Sequence, residues 1–276
     1  MTIKIHVLHT GLITVDKSIP AHEAAINPLD FTGIFRSHKN KITLPVSSYL
    51  IEHPKGLVLI DTGWNDLVRT SQRKELGLQV KINQAYLPAG WSVRDQIESL
   101  GLKTSDIDYV MLSHLHSDHA SGLPLVADAK NFLTSEEEWQ TANRDKLRYI
   151  TKMCQGIDMN TFHIEDTGHG PFGRSFDLFN DGSIEFLFTP GHSLGLAATI
   201  IRGESGQEVL LAADTGYSAK NINKLYTPGI VKNRGNAIQS VGWIREKSRE
   251  SQVIELLPNH DPEVIPRERK ISCVNA

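Results

Sequence analysis

A chain of 276 residues, 39% hydrophobic and 22% charged, is long enough to bury a large core and too ordinary in usage to be mostly disordered. A net charge of −3 with no dense Lys/Arg run excludes the basic footprint of a nucleic-acid binder. With only Cys154 and Cys273, no bilayer-length apolar run, and polar residues breaking up Met1 to Ile13, the chain is expected to be cytoplasmic, with no disulfide framework, signal peptide or membrane partner.

The β-branched segments Ile3 to Leu8, Val46 to Glu52 and Leu57 to Asp61 read as the first strands. Pro54-Lys55-Gly56 between the last two suits a hairpin, so antiparallel pairing is expected there. Ser92 N-caps a helix to Leu100, Tyr109 to Leu112 is a short strand, and Ser135, with Glu138 three residues on, opens a helix to Tyr149. Strands Ile184 to Phe188, Ala197 to Ile201 and Val209 to Ala213 follow, then a helix from Asn236 to Glu250 and a strand from Val253 to Leu257. A single α/β domain over residues 1–276 is expected, with two mixed sheets face to face and helices on their outer faces. Leu57 to Gly63 and Val209 to Gly216 echo each other, each an apolar strand ending in Asp-Thr-Gly.

Three long irregular stretches separate these elements: Asp16 to Ile42, Asn65 to Gly90 and Lys152 to Phe179. In or beside them stand Phe31, Phe35, Trp64, Tyr86, Met153 and Phe162. These either line a pocket for a partly apolar substrate or pack a satellite core.

Chemistry concentrates in Ser113-His114-Leu115-His116-Ser117-Asp118-His119-Ala120, directly after the strand at Tyr109. A strand end turning into a loop aims His114 and His116 at one point and Asp118 and His119 at a neighbouring one. Imidazole nitrogens and carboxylate oxygens are ligands for zinc, iron or manganese, and two adjacent groups of them suit a two-metal site. His192 follows a strand through the Pro190-Gly191 turn, and His260 follows another. Asp214 ends a third, where a carboxylate is costly to bury without a cation.

Together these residues resemble the metallo-β-lactamase superfamily along nearly the whole chain. The resemblance implies an αββα sandwich and two divalent ions, zinc first, with iron, manganese or cobalt as alternatives. His114, His116 and His192 then hold one ion, Asp118, His119 and His260 the other, and Asp214 bridges them. It also implies that Asp61, in Asp61-Thr62-Gly63, orients a ligand histidine. Within the superfamily, Asp214-Thr215-Gly216-Tyr217 and Asn259-His260-Asp261 are similar to N-acyl homoserine lactone lactonases, in which a tyrosine three residues after the bridging aspartate touches the lactone. Tyr217 takes that place, while Ser117 stands where some lactonases carry a bulky aromatic.

The activity so implied is opening of a lactone ring by a metal-bridging hydroxide, with Tyr217 stabilising the oxyanion and Asp118 passing a proton to the leaving oxygen. Substrate contacts are expected from Tyr217, Ser117, Phe31, Phe35, Trp64 and Tyr86, and the partner is a small lactone or ester. A glyoxalase II-like thioesterase or another small-molecule ester hydrolase of the same superfamily is the alternative, although Leu196 replaces the last histidine of the glyoxalase II second-half motif. The oligomeric state is expected to be monomer or homodimer.

Overall fold

The computed structural model describes residues 2–25, 27, 29–33 and 36–271. Fourteen strands are present among them: β1 (Ile3–Asp16), β2 (Lys41–His53), β3 (Gly56–Ile60), β4 (Gln84–Tyr86), β5 (Tyr109–Met111), β6 (Phe132–Ser135), β7 (Met159–Phe162), β8 (Glu165–Asp166), β9 (Arg174–Asp177), β10 (Ile184–Phe188), β11 (Ala197–Arg202), β12 (Glu208–Ala213), β13 (Val253–Pro258) and β14 (Arg267–Ile271). The helices are α1 (Val68–Leu76), α2 (Val93–Ser99), α3 (Ser117–Ala120), α4 (Glu136–Arg144), α5 (Ala219–Asn223) and α6 (Arg234–Lys247), with short 3-10 turns between elements. None of them is long and apolar enough to cross a membrane.

The strands form two mixed sheets. The first runs β14-β1-β2-β3-β5-β6-β7, with β4 also paired to β1, and the second runs β13-β12-β11-β10-β9-β8. The β2–β3 hairpin is antiparallel, with Glu52 opposite Leu57. From β3 outward to β7 the pairing turns parallel, and in the second sheet only β12 and β13 are parallel.

Central strands are apolar on both faces because both faces are covered. Along β3, Val58 and Ile60 enter the core between the sheets, while Leu59 faces the helical side with Val93 and Ile97 of α2. Along β12, Val209 and Leu211 meet that same inter-sheet core, whereas Leu210 and Ala212 pack with Ile244 of α6. The period of two thus places β3 and β12 at the middle of the sandwich, and both end beside the histidine-rich turn.

Several boundaries differ from the sequence expectation. β1 continues past Leu8 to Asp16 through an irregularity between His9 and Leu12, where Gly11 adopts φ 123° and the strand gains β4 as a neighbour. Helix α4 stops at Arg144 rather than Tyr149, because the Asp145 carboxylate accepts from Leu147 N and Arg148 N and turns the chain out. Helix α6 starts earlier, at Arg234, with the Asn233 side chain accepting from Asn236 N. The stretches read as irregular contain β4, β7, β8 and β9, whose short lengths hid them, and α1, whose helical backbone breaks at Ser71.

Candidate metal centre

The histidine-rich segment changes conformation in its middle. His114 to His116 leave β5 extended, and the chain then winds into the single turn α3, for which His116 stands at the N-cap with φ −69° and ψ 160°. That switch divides the side chains into two groups. His114 Nε2 lies 3.1 Å from His116 Nδ1, which lies 2.8 Å from His192 Nε2. On the other side, Asp118 Oδ2 lies 3.4 Å from His260 Nε2 and 3.9 Å from His119 Nε2.

Asp214 stands between the groups and turns one oxygen to each. Its Oδ2 is 3.4 Å from His192 Nε2 and 3.9 Å from His114 Nε2, while Oδ1 is 3.3 Å from His119 Nε2 and 3.2 Å from His260 Nε2. The trios His114/His116/His192 and Asp118/His119/His260 each bring their ligand atoms within 4.8 Å of one another.

Outer partners decide which nitrogen of each ring faces inward. His192 Nδ1 donates to Ile230 O at 2.9 Å and His260 Nδ1 to Pro45 O at 2.7 Å, which turns each Nε2 into the cluster. His119 Nδ1 is 2.8 Å from Asp61 Oδ2, a carboxylate that also accepts from the Ser113 amide and hydroxyl at 2.8 Å each and from Asn259 Nδ2 at 3.2 Å. Asp61 itself sits at φ 60°, a left-handed conformation unusual for a non-glycine residue and held here by that set of bonds. Gly191, at φ 143°, lets the turn before His192 close on α6; a Cβ there would stand 2.4 Å from Ala237 Cα.

Ionisation follows the geometry. Burial, together with neighbouring imidazoles, holds His114 and His116 well below the ordinary histidine value, and burial holds His192 down to about 4. These three rings are neutral, as ligands must be. Burial opposes the charge of Asp214, yet His260 and His119 hold its carboxyl well below the usual range. Burial also opposes protonation of His119, but Asp61, Asp214 and Asp118 around it win and raise it well above the ordinary value. Burial raises the Asp118 carboxyl.

A pair of cations fits this donor set. The buried His119 Nε2, His260 Nε2 and Asp214 Oδ1 have no hydrogen-bond partner, which is rare for such groups. Three neutral imidazole lone pairs converge in the other trio, an arrangement that repels unless a proton or cation sits among them. Nitrogen-rich trios of this kind match zinc and other first-row divalent metals. The donor set is therefore one that two divalent cations fit.

A cavity of about 470 Å³ opens over the cluster. His116, Asp118, His192 and Asp214 form its floor, and Tyr217, Ser117 and Phe31 are in its wall. The Tyr217 ring stacks on His260 with centroids 4.7 Å apart, and burial with the Asp214 and Asp118 charges raises its phenol well above the ordinary value, so it stays a donor. Two expected contacts are corrected. Trp64 is fully buried in a core with Val46 and Leu87, its Nε1 donating to Leu12 O, and Tyr86 is an exposed residue of β4; neither lines the cavity. Met153 and Phe162 are likewise core residues. Phe35 lies outside the described residues.

Two residues went unnoticed as parts of the site. Glu138, fully buried, accepts from Leu115 N at 2.9 Å, Ser193 Oγ at 2.6 Å and Gly195 N at 3.1 Å, and so ties the histidine-rich turn to the turn that carries His192. Its backbone N–H meets Ser135 Oγ as a capping reading requires, but its carboxylate goes elsewhere. Arg148, just after α4, reaches the cavity wall. A charged residue inside a strong cap pattern was the only available signal for Glu138, and Arg148 had none.

The family model described as Metallo-beta-lactamase superfamily matches residues 42–252. Among curated relatives, the N-acyl homoserine lactonase AiiB of Agrobacterium fabrum is 29% identical over 94% of each chain. The N-acyl homoserine lactonase AttM of the same organism is 26% identical over 80% of this chain and 83% of its own. Among solved structures, an N-acyl homoserine lactone hydrolase with the product N-hexanoyl-L-homoserine bound at its catalytic metal centre superposes with a TM-score of 0.76, at 21% identity over 95% of both chains. AidC, a dizinc quorum-quenching lactonase, superposes at 0.64, with 15% identity over 95% of this chain and 88% of its own. These likenesses in structure concern the fold.

Proposed function

The chain belongs to the metallo-beta-lactamase superfamily, and from that premise we propose that it is a dinuclear metal-dependent lactonase that opens N-acyl homoserine lactones. The observation that carries the reading is Asp214, whose two oxygens face two separate trios under a cavity walled by Tyr217. His114, His116 and His192 would hold one ion, Asp118, His119 and His260 the other, and Asp214 both; zinc suits the imidazole majority. Two such ions, when bound, supply Lewis acidity and make hydroxide available near neutral pH.

The chain's own groups do the rest. The Tyr217 hydroxyl, kept protonated by burial and by Asp214 and Asp118, donates to the carbonyl oxygen on which charge grows as water adds. Asp118, at the cavity floor, takes the proton released as water adds and hands it to the ring oxygen as the C–O bond breaks, giving the hydroxy acid. Asp61 holds the His119 ring in place throughout. The apolar wall formed by Ile13, Val15, Ile19, Phe31 and Ile230 suits an acyl chain. One domain would carry the entire site and work as a monomer or homodimer, and the sparse cysteines, of which Cys154 is free, agree with a cytoplasmic enzyme.

The test is acid release, followed by pH-stat, from N-acyl homoserine lactones and from S-lactoylglutathione with the zinc-loaded protein. Lactone opening well ahead of thioester cleavage is expected. Faster thioester turnover, or no lactone opening, would reject the reading.

A further inference from the structure

Arg148 is the one lysine or arginine among the described residues that line the cavity. Its backbone is pinned on both sides: the N–H donates to Asp145 Oδ1 at 3.2 Å and the carbonyl accepts from Gln79 Nε2 at 3.1 Å. Its head group is not. Nη2 is buried without a hydrogen-bond partner, and no carboxylate of the described residues stands in ion-pair distance of the guanidinium. Of the carboxylates whose charges reach it, Asp145 is already engaged by the Lys232 ammonium and by two backbone amides, and Glu138 by Leu115 N, Ser193 Oγ and Gly195 N. Burial lowers the Arg148 pKa, but a guanidinium starts so high that it stays charged.

A buried donor on a charged group is costly to leave unmet. A fold that pins such a group in the wall of a cavity leaves its partner to be supplied by what enters the cavity. Position narrows what that is. Arg148 is close enough for its charge to act on His116 and His192, and the adjacent Tyr149 ring lies 5.0 Å from the His116 ring. Tyr217 stacks on His260 and lies 6.1 Å from the His192 ring, and the Arg148 charge acts on it as well. The scissile carbonyl takes the Tyr217 hydroxyl, so the acceptor left for Arg148 belongs to the substituent that extends along the apolar wall.

We propose that Arg148 is a specificity-determining residue that donates to an acceptor oxygen on the substituent of the lactone, outside the ring being opened. The shared chemistry is a carbonyl or carboxylate oxygen: an acyl-amide carbonyl is one source, a carboxylate on the acyl chain the other. The assignment rests on the lactonase reading for its substrate, while the unmet Nη2 stands independently of it.

The experiment compares wild type, Arg148→Met and Arg148→Lys, zinc-loaded, on three lactones. N-hexanoyl-L-homoserine lactone carries an amide carbonyl, N-succinyl-L-homoserine lactone adds a carboxylate, and γ-decalactone has no acceptor outside its ring. Arg148→Met is expected to lower kcat/KM about tenfold or more on the amide lactone, mainly through KM, and to stay within about twofold on γ-decalactone. Arg148→Lys keeps the charge without the fork and recovers part of the loss. A loss confined to the succinyl substrate identifies the carboxylate as the source. Equal losses on all three lactones, or none, overturn the proposal.

Calorimetric binding of the ring-opened product, N-hexanoyl-L-homoserine, gives a second readout that needs no turnover. Weakening of about tenfold in Arg148→Met is expected. If wild type opens no lactone, the lactonase reading fails while this binding comparison still judges Arg148. Product binding that is absent, or equal in wild type and Arg148→Met, overturns the assignment.

Discussion

Replacing Glu138 with alanine tests whether the two ligand-bearing turns are held together as the structure indicates. Three donors lose their acceptor: Leu115 N–H, the Ser193 hydroxyl and Gly195 N–H. The hydroxyl can rotate, so the two buried amides dominate, at about 1–3 kcal/mol each. The vacated volume adds to that, because the Glu138 side chain is fully buried. Against these losses, burial raises the Glu138 carboxyl, so its removal relieves a desolvation penalty. A net destabilisation of about 3 kcal/mol follows, near the upper end for single substitutions.

Urea unfolding of the metal-stripped protein reads that number, and chelator competition reads zinc affinity. Leu115 sits between His114 and His116, and Ser193 follows His192, so affinity should fall about tenfold or more. Glu138→Gln should lie between alanine and wild type, since one amide oxygen cannot serve both turns. Unfolding within about 0.5 kcal/mol of wild type, with zinc affinity unchanged, would refute the reasoning.

Further expectations follow from the same geometry. Tyr217→Phe keeps the stacking on His260 but removes the donor, so kcat should fall about a hundredfold while two equivalents of metal remain bound by elemental analysis. Gly191→Ala places a methyl against the α6 backbone and demands a left-handed φ from alanine, so it should displace His192 and lose the metal held by its trio, measured by metal titration. In the metal-stripped protein, His192 has a folded value of about 4, below its ordinary 6.5, so the unfolded chain binds more protons between those values. Its contribution is present above pH 6.5 and lost as pH falls towards 4, about 3 kcal/mol in all. Urea midpoints should drop between pH 7 and pH 4.5; a rise would contradict the sign.

Much of the site could be read from the chain because each ligand stands at a local landmark. Asp214 ends an apolar strand, His192 follows Pro190-Gly191, and four ligands share one short segment, His114 to His119. The helix beginning at Ser92 was legible for the same reason: Ser92 accepts from Asp95 N as an N-cap does. What escaped depends on distance in sequence. β6 and β7 are four residues each and are strands only because β5 and β6 lie beside them. Trp64 and Tyr86 looked alike as aromatics near a loop, yet one is sealed beneath β1 and the other faces solvent. Glu138 reaches residues 23 and 55 positions away, which no local pattern encodes.

The most direct test of the account is to count and locate the metal. Elemental analysis joined to anomalous diffraction from zinc-loaded crystals should find two ions per chain, one among His114, His116 and His192 and one among Asp118, His119 and His260, with Asp214 touching both. One ion per chain, or ions bound away from Asp214, would contradict it.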